Sequence, residues 1–374
     1  LNIEGIAFKG SLAADREAIG SPHCAAAKPH EAFINMKSKP LLPSIIFSLL
    51  FCGIGPSLIA QNNQQDEDVI RVETDVTNLP FTASDKNNRF VTTLQQSDVR
   101  VREDGVEQQL FTFQRETDRP LSIAFLIDIS QSEERTLPEE KRAARSFIES
   151  VIQSKKDQAA IIPFTGSAFL EQGLTRDVFA IYRALERVEV AQPSYLGSGR
   201  PLTGITSGPG MKRPPQEGST AIWEAIALTA SEVLAKSPVQ RRRAIILLTD
   251  GRDTTSRLKA SEAIDGALDA ETVIYAIGIG DSKYEGVDRD VLRGIAERTG
   301  GRAFFPKKDV DLKSVFTEIE QELRTQYLIA YSSTNKNRNG AYRQIRIEVT
   351  NPLLQAEQLK LRYRPGYFAK PLSK

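Results

Sequence analysis

Asp128, Ser130 and Ser132 alternate directly after the apolar run 121–127, so one carboxylate and two hydroxyls cluster just past a buried strand. Two more oxygen groups suit the same site. Thr220 opens an apolar helix after Gly218-Ser219, and Asp250 ends a second apolar run, 244–249, before Gly251. A shell of neutral and anionic oxygens, completed by water or a partner's group, is what a hard divalent cation takes. Taken singly, each residue has a plainer reading. The 128–132 cluster could cap a helix beginning near Leu137, Thr220 could cap its own helix, and Asp250-Gly251 could be an ordinary turn. Capping does not explain why three separate segments offer oxygen donors at strand or helix ends.

Other chemistry is scarce. The chain has 2 Cys and 2 His, at Cys24, Cys52, His23 and His30, all before residue 61. From residue 61 onward no Ser-His-Asp or Cys-His catalysis, no zinc site built on His or Cys, and no disulfide is available. A formal net charge of +1, with 26% charged residues, leaves no electrostatic footprint for nucleic acid. Ile277-Gly278-Ile279-Gly280 lacks the third glycine and the helix start of a dinucleotide loop, and Asp281, Glu285, Asp288 and Asp290 lack the spacing of a calcium loop. These acids, and Asp253, read as solvated loop charges. Arg241-Arg242-Arg243 reads as a charged helix end leading into a buried strand.

The elements that must position the oxygens follow from apolar periodicity. Strands are expected at 121–127, 158–164, 244–249, 272–278 and 302–305, and helices at 137–154, 176–188, 221–236, 259–270, 288–299 and 309–324. Near-continuous apolar strands are buried on both faces, the mark of a parallel sheet covered by helices, and ligands bind such sheets beyond the strands' carboxyl ends. The flanks differ. Short strands at 69–76, 90–93, 99–103 and 107–113 precede this α/β region, with a hairpin turn at Glu103-Asp104-Gly105, and strands at 326–332, 342–350 and 358–363 follow it. The flanks (69–118 and 325–369) are expected to pair into one small antiparallel β-sandwich, with the central domain (119–324) inserted between them. Residues 189–218, rich in Pro, Gly and Ser, form a long loop leading into Thr220, a candidate binding element.

At the beginning, Met36-Lys37-Ser38-Lys39, the apolar run 41–54 and the small Ala60 have the form of a secretory signal with cleavage before Gln61. The expected organisation is an upstream extension at 1–35, a signal peptide at 36–60, a disordered polar leader at 61–68 and a tail at 370–374, giving a secreted or otherwise extracytoplasmic product. The apolar run is too short and interrupted to span a bilayer, and no other segment is apolar enough. Leu49-Leu50-Phe51-Cys52 loosely resembles a lipobox, but Phe51 disfavours lipidation of Cys52.

The DxSxS…T…D constellation, with Leu247-Leu248-Thr249-Asp250-Gly251 at its strand end, resembles the metal-ion-dependent adhesion site (MIDAS) of von Willebrand factor A (VWA) domains. The likeness covers most of the chain after Gln61. It is closest to a bacterial secreted VWFA-related family in the segment 91–113, the TDRPLSI entry at 117–123 and the RPGYF finish at 364–368. It implies a Rossmann-like, doubly wound α/β fold with a mostly parallel sheet and helices on both faces. It also implies that Ser130, Ser132 and Thr220 contact Mg²⁺, with Mn²⁺ or Ca²⁺ as alternatives, while Asp128 and Asp250 hold the coordinating waters. One position stays open for a carboxylate. The implied function is capture of a protein or peptide partner through its Asp or Glu, without catalysis. A scaffold with metal-stiffened loops is the alternative. A Mg²⁺-dependent enzyme is disfavoured, because Ser130 stands where a phosphoryl-accepting aspartate pair needs its second acid and no Walker loop is present. In relatives the last helix moves when the metal changes ligands; here that helix is 309–324.

Overall fold

Strands that are apolar on both sides need cover on both faces, and that requirement organises the centre of the molecule. The computed structural model describes residues 76–116, 119–152, 155–191, 200–201, 219–280, 286–306 and 309–369. The expected extension, signal, leader and tail, and most of the 189–218 loop, lie outside the described residues.

The first half of the chain runs β1 (Val76–Ser84), β2 (Val99–Glu103), β3 (Val106–Glu107), β4 (Leu110–Arg115), β5 (Leu121–Asp128), α1 (Leu137–Val151), β6 (Gln158–Phe164), β7 (Phe169–Leu170), β8 (Gln172–Thr175), α2 (Val178–Glu186) and β9 (Arg200–Pro201). There follow α3 (Ile222–Leu228), continued by a π-helical segment Thr229–Leu234, then β10 (Arg242–Thr249), α4 (Ala260–Asp269), β11 (Thr272–Gly278), α5 (Arg289–Thr299) and β12 (Ala303–Phe304). The chain ends with α6 (Asp309–Thr325), β13 (Tyr327–Ser332), β14 (Tyr342–Val349), α7 (Pro352–Ala356), β15 (Lys360–Tyr363) and β16 (Gly366–Phe368).

The central sheet has the order β12-β11-β10-β5-β6-β8 and is parallel except for β8. Alternate residues serve opposite faces. Ile123, Phe125 and Ile127 join Ile246 and Leu248 under α1, α2 and α6, while Ala124 and Leu126 join Ile245 and Leu247 under α3, α4 and α5. The chain winds outward from β5 to β6 on one side and from β10 to β12 on the other. The switch point therefore lies between β5 and β10, the crevice where such sheets bind ligands.

The flanks form two four-stranded sheets, β15-β1-β13-β4 and β16-β14-β2-β3, sharing a core of Leu79, Phe81, Val101, Tyr327, Ile329, Tyr331, Ile345 and Ile347. Each sheet mixes strands from before and after the α/β region, so the fold is a doubly wound α/β body set into a small antiparallel sandwich. The β2–β3 turn uses Asp104 and Gly105, both at positive φ, as its sequence indicates. Two local readings need correction. Residues 90–93 make only a single bridge, Phe90 to Ser84, since the chain is leaving β1 through the Asp85-Lys86-Asn87-Asn88 turn. The expected strand 107–113 breaks between β3 and β4, which belong to different sheets.

The sandwich closes around a buried ion pair. Glu103 accepts from Arg343 Nη1 at 3.1 Å, from the Tyr331 hydroxyl at 2.8 Å and from the Tyr367 hydroxyl at 3.0 Å, and the Ser333 hydroxyl also donates to it. Glu103→Ala leaves the Arg343 guanidinium dry and uncompensated, so urea denaturation should register a loss of about 3–5 kcal/mol. Arg346→Ala, which breaks an exposed contact with Glu348, should cost under about 1 kcal/mol.

Candidate metal centre

β5 and β10 are neighbours in register, Ile127 opposite Leu248, so the residues ending them meet. Asp128, fully buried, accepts from the Ser130 N–H at 2.9 Å on Oδ1 and from the Thr249 hydroxyl at 2.6 Å on Oδ2. It does not cap α1, whose N-cap is Thr136. The Ser130 and Ser132 hydroxyls lie 3.0 Å apart. Asp250 accepts from the Arg252 N–H at 2.9 Å and is also hydrogen-bonded by the Ser132 side chain. Gly251 makes this corner possible: it sits at φ +84°, where a Cβ would lie 3.0 Å from both the Asp288 carbonyl and Leu292.

Thr220 reaches the same edge through its backbone. Its carbonyl accepts from the Thr254 and Thr255 N–H groups at 2.9 and 3.1 Å, and its N–H donates to the Thr254 hydroxyl at 2.8 Å. On its other side, Ala221 N–H donates to the Thr165 carbonyl at 2.8 Å. Thr220 is thus strapped between the loops that follow β6 and β10.

Two acids missed in the sequence complete the centre. Carboxylate oxygens of Asp128, Glu133 and Asp250 lie within 4.8 Å of one another, and Glu133 is fully buried. Glu133 Oε2 accepts from the Thr136 hydroxyl at 2.6 Å, but its Oε1 and both carboxyl oxygens of Glu140 are buried without a partner. Burial drives every one of these carboxyls upward. Asp128 is pushed up to about 6 despite the Thr249 and Ser130 hydrogen bonds. Glu133 is pushed to about 10 by burial and then by Glu140 and Asp128, and Glu140 to about 8 by burial. Asp250 moves up for the same first cause. A signal for Glu140 existed: Leu137, Glu140, Ala144, Phe147, Ile148 and Val151 form one buried helical stripe, so the acid stands at an apolar position. Glu133 had no such pattern to mark it.

The donors fit a hard cation. All are oxygens, carboxylates predominate, and the unpartnered buried oxygens of Glu133 and Glu140 want positive charge.

Other sequence readings change here. Asp253 is not a solvated charge: it accepts from Ile222 N–H at 2.8 Å, fastening the start of α3. Asp288 caps α5, accepting from Val291 N–H at 3.1 Å. Gly278 serves packing, since a Cβ there would meet Phe305 and Val287 at 2.7 Å. Arg241, Arg242 and Arg243 are buried at the entry to β10, each at most 9% exposed, rather than forming a solvated helix end.

Comparison with known families agrees with the topology. Two family models, each described as von Willebrand factor type A domain, match residues 123–252 and 211–318. The chain carries a von Willebrand factor type A domain. Distant solved structures resemble this VWA protein. The conserved hypothetical protein BatB from Bacteroides thetaiotaomicron is 20% identical, with 55% of this chain and 100% of that one covered and a TM-score of 0.41. The von Willebrand factor type A protein from Catenulispora acidiphila is 14% identical, with 74% of each chain covered and a TM-score of 0.42. Proximal thread matrix protein 1 from the mussel byssus, described with a zinc-occupied MIDAS motif, is 19% identical, with 59% and 50% covered and a TM-score of 0.44. No curated protein matches the VWA chain.

Carboxyls held above their ordinary range make the metal-free folded protein keep protons that the unfolded chain has released. Stability from these groups is therefore complete below the unfolded carboxyl range, near pH 4, and is lost as pH rises toward the folded values of about 6, 8 and 10. In chelator, the urea midpoint should fall from pH 5 to pH 9, and saturating Mg²⁺ or Mn²⁺ should flatten that slope. A midpoint that rises over this interval in chelator contradicts the carboxyl cluster.

Proposed function

We propose that this VWA protein is an extracytoplasmic, metal-dependent interaction module that holds Mg²⁺ and uses it to engage an acidic side chain of a protein or peptide partner. The convergence of Asp128, Glu133 and Asp250 with the Ser130 and Ser132 hydroxyls carries this reading. Asp128 and Asp250 balance a divalent ion, and a third carboxylate from Glu133 or from a partner adds a charge-assisted contact. Ser130, Ser132 and Thr220 supply neutral oxygens. Mn²⁺ and Ca²⁺ satisfy the same donor chemistry, so the choice of ion rests on titration.

The reading is non-enzymatic. The centre offers no imidazole or thiol, and hydroxyls or amides already hold at least one oxygen each of Asp128, Asp250 and Glu133. Among the described residues no helix is long and apolar enough to cross a membrane. Export of the chain rests on the signal-like segment at 36–60.

A route from the site to the sandwich supports coupling. Glu140 is on α1; Phe147 of α1 packs on Phe316 of α6 with ring centroids 4.9 Å apart; α6 leads through Gln326 into β13. A shift of α6 on ligation would therefore be felt in the sandwich. Limited proteolysis with and without Mg²⁺ and an acidic peptide reads this directly, and identical digestion patterns count against coupling.

The central test is calorimetric titration of Mg²⁺ and Mn²⁺ into chelator-treated protein, paired with capture of partners from envelope or culture fluid. Asp128→Asn should weaken metal binding at least tenfold, about 1.4 kcal/mol, and abolish chelator-sensitive capture. Metal uptake without any chelator-sensitive partner would favour the scaffold reading instead.

A further inference from the structure

A second charged site lies at the opposite end of the sheet. Arg242 begins β10, and the eight residues of that strand, at about 3.3 Å each, separate it from Asp250. It is only 8% exposed. Its Nη1 donates to Gln326 Oε1 at 3.1 Å, yet Nε and Nη2 are buried without any partner. Those two nitrogens form the side-on fork with which a guanidinium grips a carboxylate or phosphate. Burial lowers the Arg242 pKa to about 10, which leaves it cationic at neutral pH. Glu116, the leading carboxylate in its field, is already engaged: it accepts from Gln114 at 2.8 Å and from Arg119 Nη1 at 3.0 Å. A buried guanidinium with its best edge empty is a costly arrangement unless something fills that edge.

Arg242 lines a cavity of about 60 Å³ between the amino ends of β10 and β11 and the sandwich strands β1 and β13. At roughly 10–15 Å³ per water on this measure, that is space for a few waters or one small ion. The wall carries five arginines against two glutamates, an excess of positive charge. Arg364 is among them; its Nη2 donates to the Asn78 carbonyl at 2.9 Å, and its Nε is also buried without a partner. Arg241 and Arg243 are occupied elsewhere. Arg241 donates to the Leu121 carbonyl at 2.7 Å, and Arg243 to the Ala270 and Ser237 carbonyls at 2.9 and 2.7 Å.

We propose that this cavity binds a small inorganic oxyanion, phosphate or sulfate, gripped by the Nε–Nη2 edge of Arg242 and met by Arg364. The site joins the two bodies of the fold: Arg242 opens the central strand, Gln326 links α6 to β13, and Arg364 lies between β15 and β16. An anion there offsets part of the seam's excess positive charge and stiffens it. The site shares no residue with the metal centre, so it is tested in chelator.

The experiment titrates sodium phosphate, then sodium sulfate, into the full chain in chelator at constant ionic strength, reading heat of binding and melting temperature. Wild type should show saturable binding in the millimolar range or tighter. Arg242→Met and Arg364→Gln should each weaken it at least tenfold. Both anions also stabilise proteins generally through exclusion from the surface, without saturation. An equal, non-saturating response in wild type and Arg364→Gln, with no heat of binding, overturns the proposal and leaves a water-filled cavity. Should Arg242→Met fail to fold, the wild-type titration and Arg364→Gln decide the matter alone.

Discussion

Carboxyl groups gathered in a dry corner are the constraint around which this molecule is arranged. Asp128 and Asp250 leave adjacent parallel strands at the switch point, Glu133 turns inward from the loop after β5, and Glu140 points in from α1. Desolvating carboxylates is expensive, and hydrogen bonds from Thr249, the Ser130 and Arg252 N–H groups and Thr136 offset only part of that cost. The oxygens left over are what give the corner its appetite for a cation. Neighbouring features make sense in that light: Gly251 at positive φ turns the chain away from Asp250, and the Thr220 strap brings a third segment to the same edge.

The two ends of the central sheet have opposite character. Carboxyls crowd where strands β5 and β10 finish, and guanidiniums crowd where β10 starts. Between them run strands whose side chains are almost wholly apolar, with Ile245, Ile246, Leu247 and Leu248 all fully buried. Polar chemistry is thereby confined to the rims, where loops and the second body can supply partners, and the interior remains a packing problem.

Much of this was legible in the sequence, for identifiable reasons. Continuous apolar runs marked β5, β6, β10 and β11, because burial on both faces leaves no room for polar residues. Amphipathic spacing marked the six helices that cover them. Asp128 and Asp250 could be placed because they end such runs. Weaker patterns misled. Residues 90–93 are apolar enough for a strand but follow a turn that redirects the chain, and the short β7, β8 and β16 carry too few residues to show a period. Glu133 and Glu140 escaped notice because acids near a helix start usually complement its dipole in solvent. Only tertiary packing turns them inward. The arginines at 241–243 escaped for the same reason, since a basic triplet is ordinarily a solvated feature, whereas here strand pairing draws in Arg242 and Arg243, and bonds to Ser122 and the Leu121 carbonyl draw in Arg241.

The α/β body enters and leaves its host through one doorway. Arg115, at the end of β4, stands opposite Tyr327, at the start of β13, and the Glu116 N–H donates to the Gln326 carbonyl at 2.8 Å. The two connecting threads are therefore about one strand spacing apart, roughly 4.8 Å. A guest module attached by two cords so close together can be inserted or exchanged without altering the register of the sheet that carries it. Evolution could install different heads on such a collar by cutting and rejoining at a single point.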